Sequence, residues 1–303
     1  MKKKIFSKKS QTYFIADIAA NHDGSLGRAK KLICLAAKAG ANAAKFQNFF
    51  ASTIVSDYGF KKLKIKKSHQ SKWKKSVYEV YKDAELPLCW TKELKKTCQK
   101  YNIDYFTAPY DISIISFLNQ FVSAWKIGSG DITWHESILK MARTKKPILI
   151  ATGASNLKEV DLIVKKVKKI NKKLVLMQCN TNYTANEKNF KYINLNVLKE
   201  FKKKYPGTVL GLSDHTLGHE TVLGAVALGA RVIEKHFTDS TLRNGPDHLF
   251  SMDPKTWKEM VNACRKLELS LGDGKKKIEV NEKDTSIIQR RSIRSNKFIK
   301  KGN

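Results

Sequence analysis

Arg231-Val-Ile-Glu-Lys-His236-Phe237, taken with Val209-Leu-Gly-Leu-Ser-Asp-His215, decides the fold. Each run is short, apolar and rich in branched residues, which is the pattern of a buried strand. Each carries a histidine at its carboxyl end. Between them, Glu220-Thr-Val-Leu-Gly-Ala-Val-Ala-Leu-Gly-Ala230 reads as a helix of small residues. Strand, helix, strand is a βαβ unit, so the two strands should be parallel and adjacent, with their carboxyl ends facing the same way. The two imidazoles can then reach one ion, neutral imidazole being the commonest protein ligand for divalent transition metals. The plainer reading, two strand-end histidines hydrogen-bonded in loops, stays open. A zinc pair of His215 and His219 needs both on one helix face, and His215 ends a strand.

Six further apolar runs end in polar residues, at 13–19, 43–49, 103–108, 124–130, 147–153 and 173–179. Helical periodicity fills the gaps. Residues 26–39 place Ala29, Leu32, Ile33, Ala36 and Ala37 on one stripe, with Gly40 as the C-cap. A helix over 90–101 takes Thr91 as N-cap, and Asn156-Leu-Lys-Glu159 opens another that runs to about residue 170. Ser251 and Asp253-Pro254 read as the cap of a helix from Lys255. Eight strands alternating with helices predict a (β/α)8 TIM barrel. A doubly wound sheet is the runner-up, but no Gly-x-Gly-x-x-Gly opens the first helix. Residues 47–90 are long for one connection. They hold 52–60, a basic run at 61–67 and a helix-like stretch at 73–83. Long βα insertions lie at the carboxyl face of a barrel and often form lids, and disorder across 59–72 is an equal reading.

Of the 303 residues 42% are hydrophobic, which suits a globular core. Fifty-eight Lys and Arg against 27 Asp and Glu give a net charge of +31, which favours anionic partners. The lysines are dispersed, however, and no nucleic-acid-binding motif accompanies them, so they read as a solvated surface with no nucleic-acid partner. Five scattered cysteines, an odd number, suggest reduced thiols and a cytoplasmic protein rather than a disulfide framework. The basic N-terminus lacks an apolar h-region, and no stretch approaches membrane-spanning length, so no membrane is expected.

Strand alternation decides which side chains face the barrel axis. Ser213 shares parity with His215, Glu234 with His236, Lys45 with Gln47 and Lys126 with Gly128, while Asp17 ends the first strand. So dense a polar set is costly to bury without a ligand. Lys45 and Lys126 suit a phosphate or carboxylate, and Ser129, Thr152, Thr181 and Ser213 add hydroxyls at nearby strand ends. Either lysine also reads as a Schiff-base former or as one half of a structural ion pair. After the eighth strand, Asn244-Gly-Pro-Asp-His248 presents Asp247 over the mouth or uses it as a helix cap.

Together these residues resemble the sialic acid synthase family, the phosphoenolpyruvate-dependent nonulosonate synthases. The matching stretches are Ile-Ala-Asp-Ile-Ala-Ala-Asn-His-Asp-Gly24, Ala-Lys-Phe-Gln47, Lys-Ile-Gly-Ser-Gly130, Ala-Thr-Gly153, Gly-Leu-Ser-Asp-His-Thr216, Glu-Lys-His-Phe237 and Gly-Pro-Asp-His248. The resemblance implies a TIM barrel that condenses phosphoenolpyruvate with an N-acetylated amino-sugar aldose such as N-acetylmannosamine. It implies that His215 and His236 hold Mn2+, or Mg2+ or Co2+ in its place. It further implies that Lys45, Lys126, Ser129, Thr152, Thr181 and Ser213 bind phosphoenolpyruvate, and that Gln47, Asp131, Tyr183 and Asp247 bind the sugar. Asp17, at the end of the first strand, is the candidate for proton handling or water positioning. The family often has Glu where this chain has Asp17 and Asp131, and its Ser-Thr before proline is Thr107-Ala108 here. Residues 290–302 resemble the start of the family's C-terminal antifreeze-like (SAF) domain. The expected organisation is therefore a catalytic barrel over 1–275, followed at 276–303 by a linker and the truncated start of that domain. A homodimer goes with this reading, and the alternatives to it are another divalent-metal-dependent TIM-barrel aldolase and an inactive truncated paralogue.

Overall fold

Eight short runs of branched residues form eight parallel strands, and they close in chain order into a barrel. The strands are β1 Tyr13–Asp17, β2 Ala43–Asn48, β3 Asp104–Pro109, β4 Trp125–Ile127, β5 Ile148–Ala151, β6 Leu174–Cys179, β7 Val209–Asp214 and β8 Val232–His236. The structure is a computed structural model and describes residues 6–63, 70 and 73–302. Its α-helices are α1 Leu26–Lys38, α2 Ala51–Ile54, α3 Asp57–Lys62, α4 Val77–Ala84, α5 Thr91–Lys100, α6 Ile115–Leu118, α7 His135–Arg143, α8 Leu157–Ile170, α9 Val197–Lys204, α10 Glu220–Ala227, α11 Pro254–Ser270 and α12 Lys283–Ile288. The expected TIM barrel is what forms, and the open sheet is excluded because β1 pairs with both β2 and β8.

The chain divides into two units, Met1–Glu268 and Leu269–Asn303. The second holds a 3-10 turn, Val280–Glu282, and α12. The first holds the barrel. Alternation along each strand sorts side chains into two cores. Ile15, Ala43, Phe106, Leu149, Val175, Met177 and Val232 fill the barrel interior, with Phe6, Tyr13 and Val209 packed against them. Phe14, Phe46, Trp125, Ile150, Leu212 and Ile233 point outward and meet the helices.

Local rules set most element ends. Ser25 Oγ accepts from the Arg28 N–H to open α1, whose Ala29, Leu32, Ile33 and Ala36 are buried. Gly40 follows with φ +97°, the left-handed value that ends a helix at little cost. Asn156 and Glu159 form a reciprocal capping box on α8. Two expected caps differ. Thr91 is the first residue of α5 rather than its cap, because the 3-10 turn Leu88–Trp90 leads straight into the helix and Trp90 is already helical. Asp253 Oδ1 caps α11 by accepting from the Thr256 N–H, but Ser251 turns inward and takes no part. The 49–90 connection forms α2, α3 and α4. Residues 61 and 62 of its basic run 61–67 lie in α3, while 64–67 lie outside the described residues, as do 68, 69, 71 and 72 of the stretch 59–72 read as disordered. Among the described residues no helix is long and apolar enough to cross a membrane.

Candidate active site

Strand register builds a polar layer at the carboxyl end of the barrel. Asp17 lies opposite Lys45 on one side and His236 on the other, and Ser213 lies opposite Glu234. Lys45 Nζ stands 2.7 Å from Asp17 Oδ2 and 3.4 Å from Glu234 Oε1. Lys126 Nζ is 3.0 Å from the same Glu234 oxygen, to which Ser213 Oγ also donates at 3.0 Å. None of these five residues is more than 4% exposed, so the pairs are desolvated and strong in geometry. Burial alone would raise the Glu234 carboxyl, but Lys126 and Lys45 hold it down at about 2. Burial also works against the Lys45 ammonium, and Asp17 and Glu234 outweigh it and raise the group. Asp17 is raised, by burial first and then by Glu234, against the pull of Lys45.

Both lysines therefore reach the mouth, as alternation along the strands requires, yet both are ion-paired there. A Schiff base needs a neutral amine, and Lys45 is held protonated by two carboxylates, which removes that alternative for it. The layer is still incomplete. Asp17 Oδ1 and Glu234 Oε2 are buried without a hydrogen-bond partner among the described residues. Buried oxygens without a partner cost free energy, so these two are open to a ligand or ion.

The imidazoles stand beside this layer. His236 ends β8 and His215 follows β7 by one residue. Their ring centroids are 5.5 Å apart. His215 Nδ1 is 3.0 Å from the Asn180 carbonyl oxygen, which can only accept, so that nitrogen carries the proton. His236 Nε2 is 3.4 Å from Asp17 Oδ2, while its Nδ1 is buried without a hydrogen-bond partner. Burial, then His215, then the lysines push the His236 pKa well below its ordinary value, so the ring is neutral at pH 7. Among the described residues no three or more His, Cys, Asp or Glu side chains group to hold a metal ion. Two neighbouring imidazoles, one with an orphaned buried nitrogen, fit a divalent ion that takes its remaining ligands from outside the chain. His219 sits at the N-cap position of α10, away from this arrangement along the chain, so the four-residue zinc pair on one helix does not form.

A cavity of about 420 Å³ opens at His236, within the range of small-molecule sites. Gln47, Ser129, Asp131, Thr181, Tyr183, His236 and Asp247 line its inner side. Burial raises the Asp131 and Asp247 carboxyls to about 6. The Tyr183 ring packs 4.4 Å from that of His215. Gly153 has a steric reason to be glycine. A Cβ there would strike Thr181 Oγ1 and lie 2.9 Å from Ser129 Oγ, so its absence lets the two hydroxyls converge. The Thr152 hydroxyl donates to the Met177 carbonyl at 3.0 Å, within the β5–β6 junction, and Thr152, like Lys45, Lys126, Ser213 and His215, is not among the residues lining the cavity. Tyr110 was missed. It lines the cavity, and a Cβ on Gly128 would meet its hydroxyl at 2.6 Å. The parity of inward Phe106 runs through Ala108 to Tyr110, so the signal was present.

Asp247 is held by a clasp between the loops after β1 and β8. The Ala20 N–H donates to Asp247 Oδ2 at 3.1 Å, and Ser251 Oγ donates to the Asp247 carbonyl at 2.6 Å. The next residue, His248, is fully buried. Its Nδ1 is 2.8 Å from Thr238 Oγ1 and its Nε2 is 2.9 Å from Asp23 Oδ1. Arg28 and Arg243 hold the other Asp23 oxygen at 3.0 and 2.9 Å. A Cβ on Gly245 would come within 2.6 Å of the His248 ring. Asp247 thus faces the cavity and is not a helix cap.

Comparison with known proteins gives a consistent picture. Residues 32–276 match the NeuB family. The N,N'-diacetyllegionaminic acid synthase of Campylobacter jejuni is 36% identical over 299 residues, covering 96% of this chain and 87% of that one. The pseudaminic acid synthase of the same organism is 35% identical over 302 residues, covering 98% and 85%. The crystal structure of the N-acetylneuraminic acid synthetase of Leptospira borgpetersenii, in complex with citrate, superposes with a TM-score of 0.78 at 29% identity, covering 92% of each chain.

Proposed function

The chain belongs to the NeuB family, and on that premise we propose that it condenses phosphoenolpyruvate with an N-acetylated amino-sugar aldose of the N-acetylmannosamine type. The products are a sialic acid-like nonulosonate and inorganic phosphate. One observation carries the reading. Two ammonium groups from different strands meet on a single buried carboxylate oxygen, beside the His215–His236 pair, and His236 lines a cavity with converging hydroxyls.

In the reaction, C3 of phosphoenolpyruvate forms a bond to the open-chain aldehyde carbon. Water adds at C2, and the C2–oxygen bond breaks to release phosphate. Lys45 and Lys126 supply the fixed positive charge for the substrate's carboxylate and phosphate, at sites arranged before it arrives. Ser129, Thr181 and Ser213 add hydroxyl donors, and Thr152 does so only by leaving the Met177 carbonyl. Gln47, Asp131, Tyr183 and Asp247 face the sugar. Asp17, with one oxygen on Lys45 and the other without a partner, is placed to orient the attacking water or take its proton. His215 and His236 would hold the divalent ion, Mn2+ or in its place Mg2+ or Co2+, and such an ion supplies Lewis-acid polarisation of the aldehyde oxygen.

The test is phosphate release by the purified protein with phosphoenolpyruvate, Mn2+ and a panel of N-acetylated amino sugars. Release that requires both substrates supports the proposal. No release with any sugar, in folded and metal-loaded protein, overturns it.

A further inference from the structure

The ladder between β7 and β8 ends at the pair Asp214 and Lys235. His215 lies one residue beyond it, where strand pairing stops fixing the chain. Asp214 and Lys235 share the outward parity of Leu212 and Ile233, so their side chains meet behind the barrel wall, on the α10 side. Lys235 Nζ donates to Asp214 Oδ2 at 2.5 Å and to the Thr216 carbonyl at 2.7 Å. The Thr216 N–H donates to Asp214 Oδ1 at 3.2 Å. The hydroxyls of Thr216 and Thr221 donate to Asp214 Oδ2 at 2.9 and 2.8 Å. One ammonium group thus holds both residues that flank His215, and it belongs to the residue before His236.

All four side chains are buried, and none is among the residues lining the cavity. A buried ion pair is often no more stable than apolar side chains of the same volume, so this one asks for another role. The imidazoles have few anchors of their own. His215 Nδ1 meets the Asn180 carbonyl, and His236 Nδ1 has no hydrogen-bond partner among the described residues. Resting on the reading of His215 and His236 as the metal pair, we propose that Asp214 and Lys235 are positioning residues for it. Their latch fixes the approach of the two rings, and with it the affinity for a divalent ion, without touching ion or substrate.

The experiment is calorimetric titration of metal-stripped protein with Mn2+, with thermal melts alongside. Asp214→Leu combined with Lys235→Met removes both charges and keeps most of the volume, so this double variant should fold and melt near the wild type. Its Kd for Mn2+ should rise about 10-fold or more, the usual effect of losing a support behind a metal ligand. Thr221→Val removes one bond and should raise Kd severalfold, whereas Thr221→Ser keeps the hydroxyl and should restore wild-type affinity. These two carry the test if the double variant does not fold. A role in stability alone predicts the opposite pattern, a lower Tm with unchanged Mn2+ affinity, and that result in folded variants overturns the inference. His236→Ala should abolish binding. Wild type that binds no Mn2+, or binding that survives in His236→Ala, overturns the metal pair and the inference with it. Wild-type binding that the double variant matches overturns the inference alone.

Discussion

Glu234 shows how one side chain can organise a site it was not expected to lead. Its Oε1 gathers Lys126, Lys45 and Ser213, from β4, β2 and β7. Removing one partner of a buried ion pair costs about 3–5 kcal/mol. Glu234→Gln should therefore lower Tm by several degrees. Phosphoenolpyruvate, as an anion, should restore part of that charge balance, so it should raise the variant's Tm more than the wild type's. Equal shifts in a thermal melt would contradict this role. Asp131 makes a second prediction at the same scale. Burial raises its pKa from 3.8 to about 6, so the folded state binds the proton more tightly than the unfolded state between those values. Stability contributed by the neutral form is present at low pH and lost as pH rises through about 6. Asp131→Asn should consequently be more stable than wild type at pH 8, with the gain vanishing towards pH 4. If the carboxylate binds the sugar, the same variant should have lower kcat/KM and lose the fall in activity below about pH 6. The melts and the pH–rate profile together check both halves.

Among the elements, the clasp between the β1–α1 and β8–α11 loops is the part most open to mutation. His248→Ala removes both of its bonds, to Thr238 and Asp23, and leaves Asp247 anchored at Ala20 and Ser251 alone. The KM for the sugar should rise by about tenfold, while the KM for phosphoenolpyruvate changes little, because small misplacements of binding groups are costly. Gly245→Ala should behave alike, since its Cβ presses the same ring. A rise in both KM values together would point to general loosening instead. What could be read from sequence follows the range of each interaction. Strand alternation is a two-residue rule, so Lys45, Lys126 and Glu234 were placed inward correctly from their own strands. Their pairing was not legible, because β4 and β8 lie across the barrel from each other. Thr91 failed as a cap because a 3-10 turn upstream had already started the helix. The turn leaves Asp247 either over the mouth or as a helix cap, because the Asp23 that steadies its neighbour is far away in the chain.

On the scale of the whole molecule, the eight strands were countable because each is a separate branched run, and closure follows from parallel strands paired in order. The chain carries a net charge of +31, whereas the two lysines at the barrel mouth are balanced by two carboxylates. Such a field should speed capture of an anion, so kcat/KM for phosphoenolpyruvate should fall as ionic strength rises, with kcat nearly constant. A salt-independent kcat/KM would reject steering.

The most direct measurement is phosphate release followed during titration of metal-stripped protein with Mn2+, in wild type and in His236→Ala, with circular dichroism confirming that both are folded. The expected result is sugar-dependent release that rises with Mn2+ to saturation in the wild type and stays at background in His236→Ala. Release that continues in the variant, or that needs no sugar, would contradict a synthase built on the His215–His236 pair.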